Sequence, residues 1–372
     1  MTTPPFRADH VGSFVRPDAL LEAARAHRAG RLGADGLRQA QDEAIRGIVA
    51  FQDEIGLPAV TDGEFRRRSW SAGVIDALDG FTLREEGVLG FRSDSESAGI
   101  AASPCAARRL ERARPIVAED YRFLAGLAPR GLPKATIASP PVLHFFLGPR
   151  SFEPAAYADR EAYFADLARI YRAEIAELAA AGCAYVQLDE TALPCSCDAA
   201  ARHGVRARGE DPDELTESYV ALINAAVAQR PGGMRVGLHM CRGNFKGRWM
   251  AEGGYEPIAE RVFHGLDVDT LLLEYDSPRA GDFAPLRFLP GDKTAVLGLI
   301  STKTPVLEDK DAVKRRIDEA ARHAPLERLA IGPQCGFSSA GGGGQVVDAD
   351  DTRRKLELVL EIAEEVWGGP AA

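Results

Sequence analysis

The sequence is poor in cysteine, lacks long apolar runs and has no excess of basic residues. Its six cysteines in 372 residues are too few for a secreted disulfide scaffold. No stretch reaches the roughly 18 consecutive apolar residues of a membrane span, and the start lacks an apolar segment of signal-peptide length. The net charge is −10, which argues against a nucleic-acid or anionic-membrane partner. We therefore expect an unanchored cytoplasmic enzyme that acts on small molecules.

Short apolar segments alternate along the chain with amphipathic helical patterns. The predicted strands are residues 8–12, 59–61, 134–138, 184–188, 235–239, 270–273, 295–299 and 328–331. Nearly continuous apolar strands, each followed by a helix, are typical of a parallel sheet that is buried on both faces. Eight such units predict an α/β fold, a single (β/α)8 TIM barrel in which residues 1–372 form one domain.

Residues 70–115 interrupt this alternation. They contain several glycines, short β-like pieces and the polar run 92–97. We predict an inserted hairpin or lid around residues 70–115, with its tip in the polar run. A plain surface excursion would explain the same pattern equally well.

Polar residues recur just past the predicted strands, where the catalytic groups of parallel barrels lie. His239 and Cys241 end the fifth strand, and residues two apart on an extended chain point to the same side. Glu274 follows the sixth strand and Cys335 the eighth. Together these donors form a candidate set for one tetrahedral zinc ion. Taken singly, each residue is better explained as a buried or solvated side chain.

A zinc ion with two thiolate ligands suits the chemistry of a substrate thiol. The metal would lower the pKa of the thiol and hold a thiolate that attacks an alkyl donor. Among the predicted ligands, the carboxylate of Glu274 is the one most easily exchanged for an incoming sulfur.

Two further acids suit an amino-acid substrate. Glu64 and Asp189, both at strand ends, could bind an ammonium group through charge-assisted hydrogen bonds. The backbone N–H groups at Ser13 could bind the substrate carboxylate. The alternatives are an ion pair between Glu64 and one of the arginines 66–68, and a helix N-cap role for Asp189.

Cys195 and Cys197 form a second candidate metal pair. No other cysteine or histidine lies near them in sequence except His203. We interpret this pair as a coincidence within a loop.

Several motifs together resemble the catalytic domain of the cobalamin-independent methionine synthase family. In chain order they are DHVGSF (9–14), TDGEF (61–65), QLDE (187–190), HMC (239–241), LE (273–274) and PQCG (333–336). The resemblance extends over nearly the whole chain. It implies zinc ligands at His239, Cys241, Glu274 and Cys335, and homocysteine contacts at Ser13, Glu64 and Asp189. The implied activity is that of a homocysteine S-methyltransferase, which uses zinc and a methyl donor to form methionine.

The chain departs from that family at two points. The full synthase has an additional N-terminal barrel that helps to hold its polyglutamylated folate, and nothing in this sequence replaces it. After the seventh strand, Ser301 most nearly occupies the place of the family's proton-donating histidine, which makes it the third catalytic candidate beside Glu64 and Asp189. The chain is more similar to the short methionine synthase II-like members, so the donor need not be folate polyglutamate.

Two other functions remain open at this point. One is a zinc enzyme that resembles the epoxyalkane:coenzyme M transferases and joins a different thiol to another electrophile. The other is a non-catalytic paralogue that only binds zinc or a thiol. A homo-oligomer is compatible with each of these functions.

Overall fold

The computed structural model describes residues 4–84, 90–92, 97–98, 103–338 and 341–371. Within these residues the strands are β1 (Ala59–Val60), β2 (Leu78–Arg84), β3 (Phe91–Arg92), β4 (Ser97–Ala98), β5 (Ser103–Arg112), β6 (Leu132–Pro133), β7 (Ala135–Ala138), β8 (Tyr185–Glu190), β9 (Arg235–Met240), β10 (Thr270–Glu274), β11 (Thr294–Ile300) and β12 (Leu329–Pro333).

The helices of the same described residues are α1 (Asp18–Arg28), α2 (Ala34–Ile55), α3 (Ala72–Ala77), α4 (Ala118–Gly126), α5 (Val142–Phe145), α6 (Arg160–Ala180), α7 (Ala192–Cys195), α8 (Ala199–Ala207), α9 (Pro212–Val227), α10 (Ala259–Gly265), α11 (Lys310–Ala320) and α12 (Ala349–Trp367). Short 3-10 turns lie at Gly148–Arg150, Pro278–Ala280, Ala284–Phe288 and Leu326–Arg328.

Local sequence signals set the ends of several helices. An aspartate side chain accepts backbone N–H groups at the start of α6, α8, α9, α11 and α12, which satisfies donors that the helix itself cannot pair. Gly56 and Gly368 adopt the left-handed conformation just after α2 and α12. None of the helices in the described part of the chain combines the length and the apolar composition that a membrane span requires.

A six-stranded parallel sheet forms the centre of the molecule. Its strands lie in the order β12-β11-β10-β9-β8-β7, so strands that follow one another in sequence are also neighbours in the sheet. Strands β7, β8, β10, β11 and β12 are buried along their whole length, as expected when helices cover a parallel sheet. The carboxyl ends of all six strands meet at one edge, and the candidate site lies there.

The first predicted strand, residues 8–12, is not a regular strand. Ala8 forms an isolated parallel bridge to Ile331 of β12, and Ser13 forms one to Gly63. Between them Gly12 has a φ of 122°, which interrupts an extended ladder. β1 pairs with β6, which lies directly before β7 in sequence. The α/β class is thus confirmed, while the closure of an eight-stranded barrel stays a prediction.

The predicted insertion at residues 70–115 contains an antiparallel pair. β2 and β5 pair from Leu78–Arg112 to Arg84–Ser103, with an irregularity near Gly80. The backbone of Arg92 pairs with Trp249, and its guanidinium lies 2.7 Å from the Asp198 carboxylate. The hairpin is therefore confirmed, and it is anchored beside the site. Most of the expected tip, residues 93–96, lies outside the described residues.

Candidate metal and thiol site

Three of the four predicted metal ligands lie together at the carboxyl edge of the sheet. His239 is in β9, Cys241 follows that strand, and Cys335 follows β12. One ligand atom from each lies within 4.8 Å of the others, and all three residues are buried. Cys195 and Cys197 belong to no comparable group among the described residues. The two-residue spacing of His239 and Cys241 brings both side chains to one point, as predicted.

The spacing of the two sulfur atoms fits a shared metal ion. The Sγ atoms of Cys241 and Cys335 are 3.8 Å apart. A disulfide requires about 2.05 Å, so the two residues are not bonded to each other. Two thiolates at about 2.3 Å from one tetrahedral zinc ion would lie about 3.8 Å apart. The donors and their spacing therefore match what a zinc ion needs.

The contact between the two sulfurs shifts the pKa values of the two thiols in opposite directions. The hydrogen bond with Cys335 lowers the pKa of the Cys241 thiol to about 5 despite its burial, and His239 adds to this effect. The same hydrogen bond, together with burial, raises the pKa of Cys335 well above its ordinary value. Burial would lower the pKa of His239, but Cys241 and Asp189 raise it to about 10. Without a metal, these shifts favour a charged pair of His239 and Cys241 beside the neutral thiol of Cys335.

Asp189 contacts the histidine of this cluster. It lies opposite His239 in the register of β8 and β9, and its Oδ1 is 3.2 Å from Nδ1 of that ring. The same oxygen accepts a hydrogen bond of 2.7 Å from the Gln187 amide. A carboxylate on one ring nitrogen fixes the orientation of a metal-binding histidine. The alternative of an N-cap role is wrong, because Glu190 rather than Asp189 accepts the backbone N–H groups of Ala192 and Leu193 at α7.

A buried chain of hydrogen bonds continues from Asp189 into the core. The Oε1 atom of Gln187 accepts from the ammonium of Lys134 at 3.0 Å. Lys134 in turn lies 2.8 Å from the carboxylate of Asp9, which also accepts from the Tyr185 hydroxyl at 2.6 Å. All of these side chains are buried. The histidine at the edge of the sheet is thereby connected to a buried ion pair.

Glu64 occupies a strained and buried position. Its φ of 61° is unusual for a residue with a side chain, and its backbone N–H donates to Asp62 at 2.9 Å. Oε1 accepts from Thr136 at 3.0 Å and lies 3.5 Å from the Arg67 guanidinium. The alternative ion pair is therefore present, and Arg67 forms it. Burial raises the pKa of Glu64 to about 7, although Arg67 acts in the opposite direction.

Ser13 lies against the loop that carries Cys335. Its carbonyl accepts from the N–H of Phe337 at 3.0 Å. A Cβ atom at Gly336 would lie 1.9 Å from the Ser13 hydroxyl oxygen, so only glycine fits there. This close approach explains why a glycine directly follows the cysteine.

Glu274 and Ser301 both interact with neighbouring groups of the protein. The Glu274 carboxylate accepts from the Arg242 backbone N–H and lies 3.0 Å from the Lys303 ammonium. The Ser301 hydroxyl donates to Asp276 at 2.7 Å. Burial would lower the pKa of Lys303, but Glu274 and Asp276 outweigh it and raise that pKa above its ordinary value. Glu274 is thus near the sulfurs but outside the compact three-residue group.

A cavity of ≈ 250 Å³ opens over the cluster. Six predicted residues line it together: Ser13, Glu64, Asp189, His239, Cys241 and Cys335. Glu274 and Ser301 are not among its described lining residues. Its outer wall is largely apolar and comes from the insertion and from the loop after β9, with Trp70, Ile75, Leu83, Phe91, Phe245 and Met250.

The sequence-based reasoning missed this apolar wall and the role of Lys303. The rings of Phe91 and Phe245 pack with their centroids 5.1 Å apart and join the insertion to the β9 loop. Aromatic residues in loops just past strand ends were the available signal. The sequence places Lys303 just after the seventh predicted strand. Its two partners, Glu274 and Asp276, lie at the end of β10 and in the loop after it, so the sequence did not predict the contact.

Residues 6–365 match the model of the family described as "Cobalamin-independent synthase, Catalytic domain". The chain belongs to this family. Family members are methyltransferases of methionine biosynthesis, and the resemblance of the motifs is thereby confirmed.

Proteins similar to this chain occur in bacteria and archaea. "Uncharacterized protein YxjH" of Bacillus subtilis is 41% identical over 366 residues, covering 98% of this chain and 95% of that protein. A methionine synthase of Pyrococcus abyssi is 26% identical over 328 residues, covering 88% of this chain and 85% of that protein.

Solved structures show the same fold. A Listeria monocytogenes protein, provisionally named a vitamin-B12-independent methionine synthase, has a TM-score of 0.76 and 31% identity, covering 99% of this chain and 100% of its own. A B12-independent methionine synthase from Shewanella sp. W3-18-1, solved with selenomethionine, has a TM-score of 0.73 and 19% identity, with coverage of 97% and 98%.

Proposed function

We propose that this chain is a zinc-dependent thiol methyltransferase that converts homocysteine to methionine. The observation that carries the proposal is the pair of sulfurs 3.8 Å apart, beside His239 and open to a cavity that Glu64 also lines. Membership in the synthase family supports the reaction class. The selenomethionine held by the Shewanella relative is an analogue of the expected product.

The proposed zinc ligands are His239, Cys241 and Cys335, with Glu274 as the fourth. Bound there, zinc would supply Lewis acidity that lowers the pKa of a substrate thiol. Asp189 holds Nδ1 of His239, so Nε2, which lies 3.3 Å from the carbonyl oxygen of Gln334, would be the nitrogen for the metal.

The proposed substrate contacts are Glu64, Asp189 and Ser13. The two carboxylates are suited to the ammonium group of homocysteine, and the backbone at Ser13 to its carboxylate. These residues line the same cavity as Cys241 and Cys335, which supports the binding of a small thiol amino acid there.

The reaction forms a sulfur–methyl bond while the bond between the methyl carbon and the donor breaks. The donor leaves with the electron pair of that bond, and the thiol proton has already passed to solvent on binding. The proton that a leaving group takes up comes from solvent, and we propose that the Ser301 hydroxyl, which donates to Asp276 at 2.7 Å, relays it.

A donor other than folate polyglutamate is part of the proposal. The outer wall of the cavity is largely apolar, and Arg68 is the one lysine or arginine among the described residues that line the cavity. That guanidinium already lies 2.5 Å from the carboxylate of Asp76 and is largely exposed. A polyglutamate tail carries several negative charges, and this wall offers them little compensation.

We also propose that the strands close into one (β/α)8 barrel that forms a single domain. Support comes from the bridges of Ala8 to Ile331 and of Ser13 to Gly63, which continue the sheet beyond β12. The backbone N–H of Lys134 donates to Val60 at 2.8 Å, between β1 and β7. A cytoplasmic location is proposed as well, since two thiolate ligands require a reducing compartment.

Proton release tests the proposed function. Zinc-loaded protein mixed with homocysteine near neutral pH should release close to one proton per chain, because the bound thiol ionises. Methionine, which has no thiol, is the matched control and should release none. Methionine should then form with a methylfolate, methylcobalamin or an S-methylsulfonium donor.

Each other result has a defined meaning. Thiol binding without product from any donor would favour a binding protein. Tighter binding and alkylation of coenzyme M than of homocysteine would favour the other transferase. If homocysteine releases no proton, the thiol-activation proposal is wrong.

A further inference from the structure

Two carboxylates, one from the last residue of β10 and one from the loop after it, share one buried ammonium. Nζ of Lys303 lies 3.0 Å from Oε1 of Glu274 and 3.4 Å from Oδ2 of Asp276. The Lys303 side chain is 6% exposed, and both carboxylates are 1% exposed. A buried carboxylate without a partner is strongly unfavourable, so this ammonium compensates charge that water cannot reach. Asp276 has a second partner in Ser301, whereas Oε1 of Glu274 depends on Lys303.

The other oxygen of Glu274 is held beside the sulfur cluster. Oε2 accepts the backbone N–H of Arg242, the residue that follows Cys241, and lies 3.8 Å from its guanidinium. The carboxylate is therefore fixed at one oxygen, and Lys303 binds the other. Any metal held by His239, Cys241 and Cys335 has to compete with Lys303 for Glu274.

We infer that Lys303 is a positioning residue that binds the Glu274 carboxylate whenever a substrate sulfur takes the fourth place at the metal. The inference rests on the proposed zinc-dependent function. Without Lys303, Oε1 of Glu274 would have no partner when the sulfur displaces the carboxylate, and only Arg242 would compensate its buried charge. With Lys303 at 3.0 Å, the displaced carboxylate already has a partner. Lys303 thus favours thiol binding at the expense of metal affinity.

The Lys303→Met variant tests this role, because methionine keeps the chain length and removes the charge. Zinc should bind about tenfold more tightly, as Glu274 is no longer shared, and homocysteine about tenfold more weakly. Zinc affinity is measured by competition with a chelator and thiol affinity by calorimetry. Lys310→Met, which removes an exposed lysine, should change neither value. Lys303→Arg keeps the charge and should restore thiol affinity.

The contrary outcomes are distinct. Unchanged zinc and thiol affinities in Lys303→Met, or a parallel loss of both, would overturn the role of Lys303. If wild-type protein binds no zinc, the proposed function fails instead. Should Lys303→Met not fold, Glu274→Gln serves as the second variant, because its thiol affinity should equal or exceed that of wild type. A loss of thiol binding in Glu274→Gln would contradict the exchange.

Discussion

Glu64 combines an unfavourable backbone conformation with an unfavourable place for a charge. A left-handed residue with a side chain costs of the order of 1–3 kcal/mol, and burial opposes the ionised carboxylate. Such strain persists only where the surroundings fix it. Here Arg16 does so, because its guanidinium donates to the carbonyl of Glu64 at 2.8 Å.

The pKa of Glu64 predicts a pH dependence of substrate binding. The pKa is raised to about 7, so the carboxylate gains a proton as the pH falls through that value and loses its charge. Homocysteine affinity should therefore decrease about tenfold per unit below about pH 7. Calorimetry on wild type and Glu64→Gln measures this, and the variant should lack this component. Parallel pH profiles of the two proteins would contradict a role of Glu64 in ammonium binding.

Cys335→Ser should lose tightly bound zinc, because a serine hydroxyl does not replace a thiolate ligand. Metal analysis after dialysis should show about one equivalent in wild type and little in the variant. Cys183→Ser is the matched control, since Cys183 is buried but donates to the carbonyl of Tyr185 at 3.3 Å. A full equivalent of zinc in Cys335→Ser would exclude this ligand set.

At the residue scale, sequence reasoning located the cluster but not every partner. The two-residue spacing and the strand ends brought His239, Cys241 and Cys335 together. An ion pair of Glu64 with one of the arginines 66–68 was expected as an alternative, and the structure shows that the partner is Arg67. The contact of Lys303 with Glu274 joins the loop after β11 to the end of β10, and its distance depends on how these two strands lie in the sheet. Local sequence carries no information on that distance.

At the scale of elements, the insertion and the β9 loop together form the outer wall of the site. Phe91 packs on Phe245, and the backbone of Arg92 pairs with Trp249. A lid of this kind would exclude water from a thiolate nucleophile.

Phe91→Ala should weaken this closure. We expect kcat/KM to fall about tenfold while zinc content stays at one equivalent, since Phe91 offers no atom that could bind a metal. The matched control is Val306→Ala, at a side chain that is 67% exposed. Steady-state kinetics with metal analysis on both variants gives the answer. An unchanged kcat/KM in Phe91→Ala would mean that the insertion does not act as a lid.

The strands were easier to predict than the short helices. Seven predicted strands agree with the structure within a few residues, because uninterrupted apolar runs mark a sheet that is covered on both faces. The prediction of a strand at 8–12 was wrong, since Ala8 forms an isolated bridge there, Gly12 has a positive φ, and the buried Asp9 and His10 form side-chain hydrogen bonds. The helices α1 and α8 were missed, although Asp198 supplied an N-cap signal for α8.

At the scale of the whole molecule, a buried ion pair connects the core to the site. Lys134 and Asp9 are completely or almost completely buried, with side-chain exposures of 0% and 1%. They belong to segments that are 125 residues apart in sequence. Such a pair specifies how distant segments meet, and through Gln187 it also supports Asp189.

Lys134→Met should destabilise the fold by about 3–5 kcal/mol, because Asp9 would stay buried without its cation. Denaturant unfolding followed by circular dichroism measures the change. Lys310→Met removes exposed ion pairs to Glu361 and Glu365 and should cost about 0–1 kcal/mol. A loss below about 1 kcal/mol for Lys134→Met would show that the core does not depend on this pair.

The distance between Cys241 and Cys335 has a consequence for oxidation. Once the metal is removed, a sulfur with a pKa of about 5 faces a neighbouring thiol only 3.8 Å away. A peroxide converts such a thiolate to a sulfenic acid, which condenses with an adjacent thiol to a disulfide and releases water. Oxidised apoprotein could then no longer take up zinc until a thiol reductant had opened the bond. A bound metal would thus also protect these two cysteines from oxidation.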